Sequence, residues 1–185
     1  MAKQKQRQIS LALQGGGAHG AYTWGVLDRL IEEDDLEIQA ISATSAGAMN
    51  AVAFSAGMAE NGVQGAKDTL EALWQGISKS SRNVTPYGAL SPIVFAYASA
   101  MSSLASPYDL NPFNINPLRD VVEQVIDFSK VDDSGIQLFL SATNVESGHV
   151  TVFEDGDISL DTVLASACLP QTFQAVEIDG EAYWD

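Results

Sequence analysis

Two glycine-rich turns, each placed to follow a strand and open a helix, constrain this chain more than any other feature. The first lies in LALQGGGAHGAY, Leu11 to Tyr22. The second lies in ISATSAGAMN, Ile41 to Asn50, and carries a serine. A strand that ends in a tight turn and passes straight into a helix is the repeating unit of an α/β sheet, where ligands sit at the carboxyl ends of the strands. Both turns fall at such ends, so both are expected to face one site.

The rest of the pattern agrees with that architecture. Ile9–Leu13 and Ile38–Ala43 read as short strands. Ala21–Glu33 has helical spacing, and Ala46–Met58 is apolar on every face, which predicts a buried helix. Asp68–Ile77 predicts an amphipathic helix, and Leu118–Val125 a helix begun by an Asn116 cap with Pro117 in the first turn. Gln137–Ala142 and His149–Phe153 read as strands, Ser159–Ala167 as a helix stopped by Pro170, and Val176–Trp184 as a hairpin turning on Asp179–Gly180. Alternating strands and helices give an α/β domain with a mainly parallel sheet. At 185 residues, 46% hydrophobic, one domain can bury roughly 70% of the unfolded chain's surface.

Charge and cysteine usage narrow the function. Nine Lys and Arg stand against 24 Asp and Glu, a net charge of −15. A surface this acidic repels phosphate backbones, so nucleic acid is not expected as a partner. It also weakens attraction to anionic bilayers, so any transient contact with a membrane surface has to be mainly hydrophobic. Cys168 is the single cysteine, which rules out a disulfide framework within the chain and suits a reducing compartment. The basic MAKQKQRQ leads into an apolar run too short for a signal h-region. The expected location is the cytoplasm, with membrane association or secretion without a signal peptide left open. The stretch 83–108 contains no charged residue; Pro92, its serines and its short apolar core argue against a membrane span. Two readings remain for it: an insertion packed on the core, or an apolar lid facing lipid.

In Ala43-Thr44-Ser45-Ala46-Gly47, small residues surround a serine at a strand-to-helix turn. This is the requirement of a nucleophile elbow, G-x-S-x-G, with Ala43 in place of the first glycine. The plain alternative is a serine that merely caps a helix. A helix behind Ser45 favours the catalytic reading, because its positive end stabilises an alkoxide or oxyanion. Gly15-Gly16-Gly17-Ala18-His19-Gly20 also fits G-x-G-x-x-G, the dinucleotide fingerprint. That rival needs an acid at the end of the second strand, where Ala43-Thr44-Ser45 stands instead. As an oxyanion loop the segment needs unobstructed backbone N–H groups, which Gly16 and Gly17 supply. Neither histidine suits a triad: His19 lies inside the glycine loop, where it is expected to pack or cap, and His149 opens a strand, where an exposed edge is expected. A partly buried carboxylate can take the serine proton directly. Asp185, after the strand Glu181–Trp184, is the candidate; Asp179 in an Asp–Gly turn is expected to be structural. The few His and the single Cys offer no metal-ligand cluster, and no cofactor is expected.

Taken in order, the GGGAHG loop and its helix, Ser45 in an elbow, ATNVESGHVTVF at Ala142–Phe153, ASACLP at Ala165–Pro170 and a late aspartate resemble the patatin-like phospholipase family. The resemblance spans Ile9 to Asp185. It implies a three-layer α/β sandwich, a sheet flanked by helices. It also implies a lipid acyl hydrolase without cofactor, acting on a lipid or other acyl ester. Ser45 is then the nucleophile and Asp185 the base of a Ser–Asp dyad without histidine, Gly15, Gly16 and Gly17 the oxyanion hole, and Ala43 and Gly47 the elbow. The family's aspartate begins an Asp-Gly-Gly or Asp-Gly-Ala sequence and the domain runs on beyond it, so residues 9–185 are expected to be a domain incomplete at its C-terminus. Two alternatives stand beside this reading: a non-catalytic lipid- or acyl-binding module on the same fold, and a nucleotide-binding Rossmann-type protein.

Overall fold

The structure, a computed structural model, describes residues 6–84 and 106–185. Most of the uncharged stretch expected to form an insertion or lid, residues 85–105, therefore lies outside the described residues. Each glycine-rich turn joins a strand to a helix as the sequence predicts. Strand β1 (Arg7–Leu13) passes through a 3-10 turn (Gly17–His19) into α1 (Gly20–Leu30), and β2 (Leu36–Thr44) passes directly into α2 (Ala46–Val84). A short helical turn, α3 (Pro107–Leu110), and α4 (Pro117–Val125) follow, then a 3-10 segment at Phe128–Ser134. The chain ends with β3 (Gln137–Asn144), β4 (Val150–Phe153), α5 (Leu160–Ser166) and the hairpin β5 (Val176–Ile178) and β6 (Glu181–Trp184).

The strands form one six-stranded mixed sheet along the path β1-β2-β3-β6-β5, with β4 also paired to β3. The β1–β2 and β2–β3 pairs are parallel; β3–β4, β3–β6 and β5–β6 are antiparallel. The two parallel crossovers run in one direction across the sheet. With the right-handed sense such units adopt, this puts α1 and α2 on the same face. There Ile41, Leu138 and Leu140 are fully buried against Leu27, Phe54, Leu70 and Leu73. The opposite face carries exposed Ser42 and Val152, which with Phe139 and Ser141 line an open groove of about 430 Å³. Of the three layers expected, the sheet and one helical layer are among the described residues.

Helix ends follow the local chemistry. Asn116 Oδ1 accepts from the Leu118 N–H (3.1 Å), with Pro117 in the first turn. Ser159 and Thr162 form a reciprocal box at the start of α5: Ser159 Oγ accepts from the Thr162 N–H (3.3 Å) and Thr162 Oγ1 from the Ser159 N–H (2.8 Å). Asp179 (φ 52°) and Gly180 (φ 84°) both adopt positive φ, as a two-residue hairpin turn of the mirror-image type requires.

The sequence separated Ala46–Met58 from Asp68–Ile77, and the structure shows how the two are related. Asn61 (φ −148°, ψ 33°) and Gly62 (φ 58°, ψ −142°) break the helical path inside α2. The chain reverses there, so residues 46–60 and 63–84 are two arms of a helical hairpin. Close contact next to the reversal is possible only because both arms carry glycine: a Cβ on Gly57 would overlap the Gly65 carbonyl, and a Cβ on Gly65 the Gly57 carbonyl. Further from the bend, Trp74 on the second arm donates its indole N–H to Asn50 Oδ1 on the first (2.9 Å). Gly57→Ala and Gly65→Ala are expected to cost about 1–3 kcal/mol each by overpacking. Thermal denaturation reads this as a Tm lower by about 2–4 °C per kcal/mol.

Candidate active site

Ser45 is the residue at which β2 becomes α2, and its φ is +56°. A left-handed backbone on a non-glycine residue costs about 1–3 kcal/mol and persists only where the surroundings hold it. Three contacts hold it here. The Ser45 N–H donates to Ser166 Oγ (2.8 Å), and Ser166 Oγ donates to the Ser141 carbonyl (2.8 Å). The Ser166 hydroxyl thus stands between β2 and β3 where their ladder would otherwise continue. A Cβ on Gly47 would overlap the Leu13 carbonyl, so the end of β1 crosses directly over the first turn of α2. Thr44 Oγ1 and Ser141 Oγ share a short hydrogen bond across the same strand ends. Ala43, in the place of the first elbow glycine, is buried in the core beneath.

The glycine loop lies against this serine. A Cβ on Gly15 would come within 2.9 Å of the Ser45 Cβ. Gly16 (φ 149°) and Gly17 (φ 56°) both occupy backbone conformations that side chains disfavour. The helical turn opening at Gly17 presents its first N–H groups without intrahelical acceptors, the arrangement that binds anions. His19 does what its position predicts: its Nδ1 lies 3.1 Å from the Gly16 carbonyl, capping the loop while the ring stays exposed. His149 is exposed at the mouth of the β3–β4 hairpin, where its carbonyl accepts from the Asn144 N–H (2.9 Å).

Behind the loop, Asn50 is fully buried. Its Nδ2 donates to the Gly20 carbonyl (3.0 Å), while its Oδ1 accepts from Trp74. Gly20 itself has no room for a side chain: a Cβ there would come within 2.7 Å of Ala46 Cβ and 2.8 Å of the Trp74 ring. The exit of the glycine loop is therefore fixed to the first turns of α2.

The sheet register places Asp185. Ser141 of β3 pairs with Thr44 of β2 and with Val152 of β4, so β2 and β4 lie on opposite edges of β3. Thr143 pairs with Val150 of β4 and with Trp184 of β6, so β4 and β6 also lie on opposite edges. β2 and β6 consequently share one edge of β3. β2 runs with β3 and β6 against it, so their carboxyl ends point at each other. Only Ala142 separates the last pair of β2 from the last pair of β6 along β3. The next residues are Ser45 on one strand and Asp185 on the other. Asp185 is half-buried, and its N–H donates to the Cys168 carbonyl (3.0 Å) in the loop after α5. Burial pushes the Cys168 thiol up to about 11, and the neighbouring Asp185 carboxylate adds to the rise.

The register thus brings the backbones of Ser45 and Asp185 to one gap in the sheet, Gly15 packs against Ser45, Gly47 lies under the end of β1, and Asp179 stays in its turn. The sequence reading missed Asn50, Trp74 and Ser166. The first two belong to apolar-looking helices and the third to ASACLP, so nothing in their local pattern marks the hydrogen bonds they make across 24 to 121 positions. Asn50→Ala strands the Trp74 N–H and is expected to cost about 1–3 kcal/mol, measurable by urea denaturation, and to lower turnover of any substrate held by the glycine loop.

The sequence signature of the patatin-like phospholipase family matches residues 11–185. Among solved structures, VipD from Legionella pneumophila is similar at 14% identity and TM-score 0.50, over 98% of this chain and 46% of that one. The ExoU–SpcU complex from the type III secretion system of Pseudomonas aeruginosa is similar at 17% identity and TM-score 0.37, over 88% of this chain and 36% of that one. The chain thus spans less than half the length of either structure. No curated protein sequence matches it. Among the described residues no helix is long and apolar enough to cross a membrane. The match across nearly the whole sequence, with the mixed α/β sheet, shows that the chain belongs to the patatin-like phospholipase family.

Proposed function

We propose that this chain is a serine hydrolase of lipid esters, working through a Ser45–Asp185 dyad with the Gly15–Gly17 loop as oxyanion hole. The observation that carries the reading is the pair of strand ends facing each other across Ala142, which deliver a serine and an aspartate to one gap. Family membership supports lipid acyl hydrolysis in general, and the facing strand ends support the choice of Ser45 and Asp185 as its dyad.

Asp185 accepts the Ser45 hydroxyl proton as Ser45 Oγ attacks the ester carbonyl. The carbonyl oxygen becomes an oxyanion, held by the N–H groups of the glycine loop and the positive end of α2. The tetrahedral intermediate collapses, the alcohol leaves with the proton held by Asp185, and an acyl-enzyme remains on Ser45. Asp185 then draws a proton from water as that water attacks the acyl carbonyl, and returns it to Ser45 Oγ as the ester bond breaks and the fatty acid leaves. The left-handed backbone at Ser45 is the strained turn on which a nucleophile elbow presents its serine. His19, occupied at the rim of the loop, takes no part.

Ser45→Ala and Asp185→Asn are each expected to lower kcat on a soluble short-chain ester by about a thousandfold or more, with Tm close to that of the parent. A fluorophosphonate probe is expected to label Ser45 and to leave Ser45→Ala unlabelled. Full esterase activity in folded Ser45→Ala protein rejects the mechanism. No labelling of the parent favours an acyl-binding module on the same fold.

A further inference from the structure

The segment between α3 and α4 is built to hold apolar side chains out in solvent. Asn111 closes it into a tight loop. Its Nδ2 donates to the Ile115 carbonyl (3.0 Å), its Oδ1 accepts from the Ile115 N–H (2.9 Å), and its own carbonyl accepts from the Asn114 N–H (2.9 Å). Asn114 adopts a positive φ of 47° to complete the bend. At the tip Phe113 is 86% exposed and Ile115 65%. Tyr108, at 53%, stands at the base of the loop, and Leu169, at 50%, on the neighbouring loop after α5. An exposed phenylalanine on a loop closed by three hydrogen bonds gains nothing from folding. Ordered apolar surface of this kind marks an interaction face.

Two contacts place that face beside the site. Gln174 Nε2 donates to the Asn111 carbonyl (2.8 Å), and Phe173 and Asn116 line one apolar cavity of about 340 Å³ with Leu118 and Val121. The Leu169–Gln174 loop to which the tip is tied begins next to Cys168, whose carbonyl holds the Asp185 N–H. The face is almost free of charge on a chain whose net charge is −15. Residues 106–117 contain one charged residue, Asp109, whose carboxylate caps the short helix by accepting from the Ser106 N–H (3.3 Å). Residues 169–174 contain no charge at all.

We propose that the Phe113–Ile115 tip, with Tyr108 and Leu169, is a wedge that enters the surface of a zwitterionic lipid bilayer and brings the Ser45–Asp185 gap to it. Apolar side chains gain free energy at the acyl boundary in proportion to the area they bury. The acidity of the whole chain sets the lipid preference: an anionic surface repels it and a zwitterionic one does not. The biological sense of the wedge rests on the lipid-ester reading, but its binding can be measured without catalysis.

The experiment is flotation of the Ser45→Ala protein with phosphatidylcholine vesicles, compared with the same protein carrying Phe113→Ser and Ile115→Ser. Both tip residues are exposed, so the substitutions remove no packing from the core. The expected result is binding to phosphatidylcholine that falls at least about tenfold in the tip variant. Vesicles containing phosphatidylserine should bind less at low salt and recover as salt is raised. In protein with Ser45 intact, hydrolysis of a soluble short-chain ester should be the same with and without the tip substitutions. The wedge is overturned if the parent does not float with phosphatidylcholine, in which case the face belongs to a protein partner. Equal flotation of the tip variant, or an equal loss on the soluble ester, overturns it as well. Absence of ester hydrolysis in every protein removes the hydrolase reading alone, because flotation is scored independently.

Discussion

A gap in one sheet edge is the constraint on which the rest of the site depends. β2 and β6 share the same edge of β3 and stop one residue short of meeting. A continuous strand there would have paired its backbone along the full length of β3. The interruption leaves two chain ends facing each other, and the residues at those ends are a serine and an aspartate. Ser166 fills part of the missing ladder with its hydroxyl, taking the Ser45 N–H and giving to the Ser141 carbonyl. The Ser45 backbone can then adopt its left-handed turn without an orphaned donor, a balance that buried polar groups demand. Gly15 and Gly47 are the other half of the same constraint, since both stand where only a hydrogen atom fits between β1, β2 and α2.

Much of this was legible in the sequence because it is local. Glycine at positions that need positive φ or close approach, Pro117 behind an Asn116 cap, Ser159 with Thr162, and Asp179–Gly180 at a hairpin are signals contained within a few residues. The glycine loop, Ser45 and the late Asp185 could be picked out, and two histidines set aside, on residue chemistry alone. The unread parts are those that depend on which element lies beside which. Sequence periodicity shows two helices on either side of residues 61 and 62, but not that they fold back on each other. It shows β6 as the second strand of a hairpin, but not that it abuts β2 along a third strand. Asn50, Trp74 and Ser166 act across 24 to 121 positions, so their short-range patterns looked like ordinary helix interior. The 3-10 segment Phe128–Ser134 was missed for a different reason. It is held by the Asp127 side chain accepting from the Ser129 N–H (3.0 Å) and closed by Gly135 at φ 73°, and it carries no regular apolar period.

Charge and exposed apolar surface are divided over the molecule in a way that composition alone does not reveal. The chain carries 24 acidic residues against nine basic ones. Yet the loops next to Asp185 carry almost none of that charge and expose four large apolar side chains. Described ion pairs, such as Lys67 with Glu32, Arg29 with Glu33 and Arg7 with Asp35, lie at the surface or partly exposed. Pairs of that kind add little stability; they leave the core to carry the fold.

The hairpin bend at Asn61–Gly62 has a reach that its position hides. Asn50 hangs from one arm and Trp74 from the other, and together they fix the start of the helix that follows the glycine loop. The angle between the arms therefore sets how the exit of the glycine loop sits against the first turn of α2. A change at the bend would shift the glycine loop at the opposite end of the two helices, and under the proposed mechanism its kinetic signature would resemble damage to the reacting groups. Distant glycines in this molecule are, in that sense, part of its aim.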